Sequence, residues 1–124
     1  MDNDIYARLA ETLDSLPNGF HRSQSGIELQ LLRKIFEPDE AGLFCDLKLK
    51  KETPAEISRR TGRPVNGLAE KLDSMWWKGQ IERHEAGGET RYNLVPWILG
   101  IYEYQLRAMD EEMARLHVKY IKSV

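Results

Sequence analysis

The sequence predicts a mainly α-helical domain carrying one small antiparallel β-hairpin, and three observations predict it. Apolar residues recur at spacings of three and four over most of the chain, the signature of amphipathic helices. The stretch Thr53 to Gly79 reads as a short helix, a glycine turn and a second amphipathic helix. Just beyond Gly79 the apolar period drops to two for two short runs, then returns to helical spacing near Pro96.

Ile5, Leu9, Leu13 and Leu16 place the first helix over Asp4 to Leu16, where Pro17-Asn18-Gly19 stops it. Phe20 to Gln24 reads as loop. Ser25-Gly26-Ile27-Glu28 has the form of a capping box and opens a helix with Ile27, Leu31, Leu32, Ile35 and Phe36 on its apolar face. Pro38 suits the first turn of a third helix, Asp39 and Glu40 favour its positive end, and Ala41, Phe44 and Leu47 form its buried side. Thr53-Pro54-Ala55-Glu56 joins another capping box to a proline at the first helical position, and Gly62 caps that helix after Thr61. Pro64 is expected to restart a helix after a turn of two or three residues. Its inner side would carry Val65, Leu68, Leu72, Met75, Trp76 and Gly79.

Ile81 to His84 and Thr90 to Leu94 alternate as half-buried strands, with Glu85 to Glu89 between them. A helix-turn-helix followed at once by a hairpin is the layout of a winged helix. From Pro96 to Val124 the pattern is helical, and Leu99, Tyr102, Leu106, Met109, Met113, Leu116 and Tyr120 trace an apolar seam. The chain 1–124 therefore reads as a single domain. N-terminal helices fill 1–47, the helix-turn-helix 53–79, the wing 81–94, and a long packing or dimerisation helix 96–124.

Composition narrows the function classes. The 124 residues are 41% hydrophobic and 31% charged, the balance of a globular protein rather than a disordered one. Eighteen Lys and Arg against twenty Asp and Glu give a net charge of −2, which argues against a polybasic nucleic-acid wrapper but leaves room for a local basic patch. The lone Cys45 excludes an internal disulfide framework, a cysteine zinc site and a complete iron–sulfur site. No apolar run reaches the length of a membrane span, and the acidic start Met1-Asp2-Asn3-Asp4 is unlike a signal peptide, so the expected compartment is the cytoplasm.

Catalysis finds little support. His21, His84 and His117 fall on three different elements, so no metal is expected, and Asp110-Glu111-Glu112 point in different directions around a helix. Cys45 reads as a buried structural thiol. No catalytic residue and no cofactor are expected. Binding is better supported. Lys48 to Arg63 holds six basic residues against Glu52 and Glu56, a local balance of +4. Lys48, Lys50, Arg59, Arg60 and Arg63 are expected to touch the backbone of double-stranded DNA, and Asn66, Glu70, Lys71 and Ser74 to lie in its major groove. Arg83 and Arg91 would anchor the wing. Glu70 and Asp73 work against this reading, because both would face a phosphate-rich groove. Leu106, Met109, Met113, Leu116 and Tyr120 are expected to form a homodimer interface, which would supply two-fold symmetry for paired half-sites.

Two family resemblances add to this. Thr53-Pro54-Ala55-Glu56-Ile57-Ser58-Arg59-Arg60-Thr61-Gly62, with Leu68, Leu72, Met75 and Lys78-Gly79-Gln80-Ile81-Glu82-Arg83, resembles the winged helix-turn-helix of MarR-like bacterial regulators. Leu13-Asp14-Ser15-Leu16-Pro17-Asn18-Gly19-Phe20, Ser25-Gly26-Ile27-Glu28-Leu29, Leu31-Leu32-Arg33-Lys34-Ile35-Phe36 and Gly100-Ile101-Tyr102-Glu103-Tyr104-Gln105-Leu106 are similar to an N-terminal region of ferredoxin-type 4Fe–4S proteins. The first resemblance implies a DNA-binding transcriptional regulator. The second implies a protein-interaction domain that docks an iron–sulfur partner or a downstream cluster-bearing part. This chain has no cluster motif and stops in mid-helix, so it is expected to be a short relative or the front of a longer polypeptide.

Overall fold

A computed structural model describes residues 2–16, 19–20, 26–96, 101 and 116. Five helices run in order: α1 (Asp2–Asp14), α2 (Ile27–Ile35), α3 (Pro38–Asp46), α4 (Pro54–Thr61) and α5 (Leu68–Trp77). They are followed by an antiparallel hairpin, β1 (Ile81–Ala86) and β2 (Glu89–Leu94). This mainly helical order with one hairpin agrees with the predicted class and is compatible with a winged helix. The predicted C-terminal helix lies outside the described residues except at Pro96, Ile101 and Leu116.

Local chemistry accounts for the helix ends. α3 opens on a reciprocal box in which the Glu37 N–H donates to Glu40 Oε1 at 2.8 Å, a cap that the sequence reading did not identify. α4 opens as predicted: Glu56 N–H donates to Thr53 Oγ1 at 3.2 Å and Thr53 N–H to Glu56 Oε1 at 2.8 Å. Gly62 closes α4 at φ 78°, a left-handed conformation that costs a residue with a Cβ roughly 1–2 kcal/mol.

Two predicted boundaries move. Gly26, at φ 74°, caps α2 in place of Ser25, which lies outside the described residues, and Glu28 is buried in the first turn. α5 starts at Leu68 behind Gly67, several residues later than the proline suggested. Ser58 Oγ donates to the Arg63 carbonyl at 2.5 Å, holding the chain close to α4 beyond its cap. Val65 and Asn66 consequently belong to a longer turn, and Val65 is 54% exposed instead of lining the core.

α1 lies against α2 and α3, while α5 lies against α4 and β1. Apolar positions named from periodicity form the centre: Leu9, Leu13, Leu31, Leu32, Phe36, Phe44, Leu72 and Met75 are all buried, with Ile57 of α4 beside them. Phe36 and Phe44 meet edge to face at 5.5 Å, and the Tyr6 hydroxyl donates to the Phe36 carbonyl at 2.6 Å. The hairpin pairs Ile81 with Leu94 and Arg83 with Tyr92, and turns through Gly87 and Gly88 at φ 61° and 79°. Two consecutive positive φ angles match the twist of a two-residue hairpin loop.

The far edge of β2 is also engaged. Glu52 and Tyr92 exchange both backbone hydrogen bonds, at 3.0 and 2.8 Å, and Leu94 N–H donates to the Lys48 carbonyl at 2.9 Å. Residues 48–52 therefore run beside β2 and lead straight into α4.

Candidate nucleic-acid interface

The cations predicted to meet DNA divide into two groups. Arg60, on the last turn of α4, binds Glu52 through two bonds, Nε to Oε2 at 2.9 Å and Nη2 to Oε1 at 2.6 Å. Glu52 is almost fully buried, and the Arg60 guanidinium holds its carboxyl below the ordinary range. Arg63 binds Asp46 Oδ2 through Nε at 3.0 Å and Nη2 at 2.7 Å, and Arg8 reaches Oδ1 of the same carboxylate at 3.4 Å. Lys71 is bonded to Asp39, and Lys78 to Glu40 at 2.7 Å, both on the first turn of α3. Arg83 is paired with Glu85 and lies 3.5 Å from Asp73, and Arg91 is bonded to Glu89 at 3.0 Å.

Arg60, Arg63, Lys71, Arg83 and Arg91 are thus committed to carboxylates of their own chain. The +4 balance of residues 48–63 overstated the free charge. Glu52 is carried onto α4 by its pairing with Tyr92, and Asp46 stands outside that window. One signal was present in the sequence: Asp46 ends α3, where an acid opposes the partial negative charge of the helix end and is stabilised by a cation.

The second group is free. Lys48, Lys50, Lys51 and Arg59 are exposed and make no ion pair among the described residues. Three of them lie on the segment beside β2 and the fourth on α4. Lys51 was counted in the basic window but not named as a contact. Their ammonium and guanidinium groups can meet phosphate oxygens without first breaking an internal bond.

α5 presents Glu70, Ser74 and Trp77 outward, at spacings of four and three, and all are exposed. Asn66 is exposed on the turn that precedes the helix. Asp73, one turn before Trp77, accepts the Tyr92 hydroxyl at 2.5 Å. Burial and this bond push the Tyr92 phenol well above its usual range. The Arg83 guanidinium lies 4.7 Å over the Trp76 ring, which closes the base of the hairpin onto α5.

Beneath α5 a polar junction fixes the turn into β1. Fully buried Gln80 donates from Nε2 to the Ile35 carbonyl at 2.8 Å and to Glu40 Oε1 at 3.1 Å. Burial works to raise the Glu40 carboxyl, but hydrogen bonds from Lys78, the Glu37 N–H and Gln80 outweigh it and hold the group below its ordinary value. Gln80 Oε1 has no partner. Sequence reading missed this junction because its members are separated by about forty positions and carry no motif.

The remaining candidates stay quiet. Cys45 is half-buried, and burial pushes its thiol up, away from reactive thiolate. An open hollow of about 300 Å³ beside it is lined by Asp46, Lys48, Arg60 and Thr61. It lies where α3 and α4 end, and the partial negative charge of two helix C-termini disfavours an anion there. Among the described residues no group of His, Cys, Asp and Glu stands in a metal-holding arrangement, and no helix is long and apolar enough to cross a membrane. Of the dimer candidates, Leu116 is buried in the core of its own chain, so it is not a free contact for a partner. Leu106, Met109, Met113 and Tyr120, with His21 and His117, lie outside the described residues. No family model, curated protein or solved structure matches this chain.

Proposed function

We propose that this chain is a non-enzymatic winged-helix binding module, MarR-like in layout, that holds double-stranded DNA in the cytoplasm as a transcriptional regulator. One observation supports the reading: Lys48, Lys50, Lys51 and Arg59 have no ion-pair partner among the described residues, where residues 48–52 lead into α4. In a winged helix this segment and the helix after it flank the groove-reading helix, so these side chains are suited to the phosphate backbone. Asn66 and Glu70 would then approach base edges from the start of α5, Asn66 toward adenine and Glu70 toward a cytosine amino group. Pairing of two copies through Leu106, Met109, Met113 and Tyr120 would match a two-fold operator.

Fluorescence anisotropy with a pool of labelled genomic duplexes tests this. Saturable binding should weaken steeply with salt, and replacing Lys48, Lys50 and Arg59 together by alanine should lower the salt slope by up to about three units. Arg59→Ala alone should weaken all sequences alike. Unchanged affinity and slope in the triple variant would sink the assignment.

A second reading is a docking domain for an iron–sulfur redox protein, with no DNA function. The observation that favours it is the outward face of α5, which offers Glu70 and a largely exposed Trp77 in place of cations. Absence of duplex binding even at low salt would leave this reading standing.

A further inference from the structure

We infer that the C-terminal end of α5 is a docking point for an arginine-bearing segment of a partner protein, received between the Trp77 indole and the Asp73 carboxylate. Trp77 is 82% exposed, which is unusual for the largest apolar side chain. It follows Asp73 by four positions and Ser74 by three, so both share its helix surface. The chain itself shows which chemistry suits the place. Next door, Arg83 lies over Trp76 at 4.7 Å while pairing with Asp73 and Glu85. Trp76 and Trp77 meet edge to face at 6.1 Å, so Trp77 extends that aromatic surface outward. No cation lies over Trp77 among the described residues.

Charge selects the occupant. Asp73 and Glu85 together exceed Arg83 by one negative charge, the Asp73 side chain is 46% exposed, and the helix end adds partial negative charge. Lys71 and Lys78, which flank this face, are drawn down to Asp39 and Glu40 on α3. The surface therefore repels phosphate and attracts a planar cation that stacks on indole while bonding a carboxylate, which describes arginine better than lysine. The inference stands apart from the DNA reading. Trp77 ends a ten-residue helix, about 15 Å from its first turn, and Asn66 lies on the turn before that start, so Trp77 and Asn66 stand at opposite ends of α5.

The test is a titration of the full chain, without DNA, with a short peptide alternating arginine and glycine. Lysine–glycine and glutamate–glycine peptides serve as controls, and the indole N–H signals are followed by NMR. The Trp77 signal should move saturably with the arginine peptide, less with the lysine peptide and not with the acidic one. Trp77→Ala should weaken binding roughly tenfold, the scale of one cation–π contact made away from water. That variant keeps the fold because so little of the side chain is buried. Glu89→Gln at the hairpin tip should bind as the parent does, separating the site from general attraction to an acidic protein. A Trp77 signal that does not move, or equal binding by Trp77→Ala, would overturn the inference. So would a Trp77→Ala chain that loses duplex affinity while keeping the peptide, since the indole would then serve DNA.

Discussion

At the scale of single residues, carboxylates decide more than cations do. Asp39, Glu40, Glu52 and Glu56 are all held below their ordinary values, by Lys71 at Asp39, by Arg60 at Glu52, by the Thr53 backbone at Glu56, and by Lys78, Glu37 and Gln80 against burial at Glu40. A carboxyl with a lower value in the folded chain binds its proton less readily there than in the unfolded chain. Its stabilisation is therefore fully present above the unfolded value, about 4.3 for glutamate, and is lost as pH falls through the folded value. Urea midpoints measured from pH 7 down to pH 3 should fall most steeply below about pH 4.5. Glu40→Gln should lower stability at pH 7 by about 1–2 kcal/mol and flatten the acid limb, because the neutral amide no longer favours Lys78. An unchanged acid limb would mean that Glu40 contributes nothing through its charge. Of these pairings only the capping box of Glu56 with Thr53 was visible in the sequence. Asp46 finds Arg63 seventeen positions on, and Glu52 finds Arg60 only because β2 holds the Glu52 backbone in place.

Elements were more legible, because their signals are local. Thr53, Pro54, Glu56 and Gly62 bound α4 as a chain reader would place it, since each acts within one turn of itself. Thr53→Ala should cost about 1 kcal/mol, and Gly62→Ala about 1–2 kcal/mol through its left-handed φ. Both are measurable as shifts of the denaturation midpoint with unchanged denaturant dependence. A Gly62→Ala chain as stable as the parent would show that the turn relaxes. The start of α5 was harder to read. Pro64 satisfies the rule for a first helical position, yet Arg63 is tied to Asp46 and its carbonyl to Ser58, and the chain needs Gly67 before it can turn into the helix. A local rule was outweighed by contacts made with α3 and α4. The same displacement moved Asn66 off the helix and Val65 out of the core, which changes the candidate surface as well as the boundary.

At the scale of the whole molecule, two helical groups meet through apolar packing, ion pairs and one buried amide. α1, α2 and α3 lie together on one side, and α4, α5 and the hairpin on the other. Apolar contact and the ion pairs of Arg63, Lys71 and Lys78 with α3 join them, but Gln80 is the fully buried side chain that bonds both the end of α2 and the start of α3 from the turn beyond α5. Apolar packing tolerates small rotations, whereas two directed bonds from a fully buried amide fix one orientation. Gln80→Ala removes both bonds and leaves the Ile35 carbonyl and Glu40 short of a partner, a loss of about 1–3 kcal/mol. Its second effect separates this role from simple loss of packing. Amide hydrogen exchange under native conditions should show the slowest amides of α1–α3 and of α4–β2 opening with one free energy in the parent chain. In the Gln80→Ala chain two free energies should appear, with the α4–β2 group opening first because it holds two helices, of eight and ten residues, against three of thirteen, nine and nine. Uniform weakening of both groups would assign Gln80 an ordinary share of core stability. Divergence would make it the residue that sets where the outward face of α5, with Glu70 and Trp77, stands relative to the N-terminal helices.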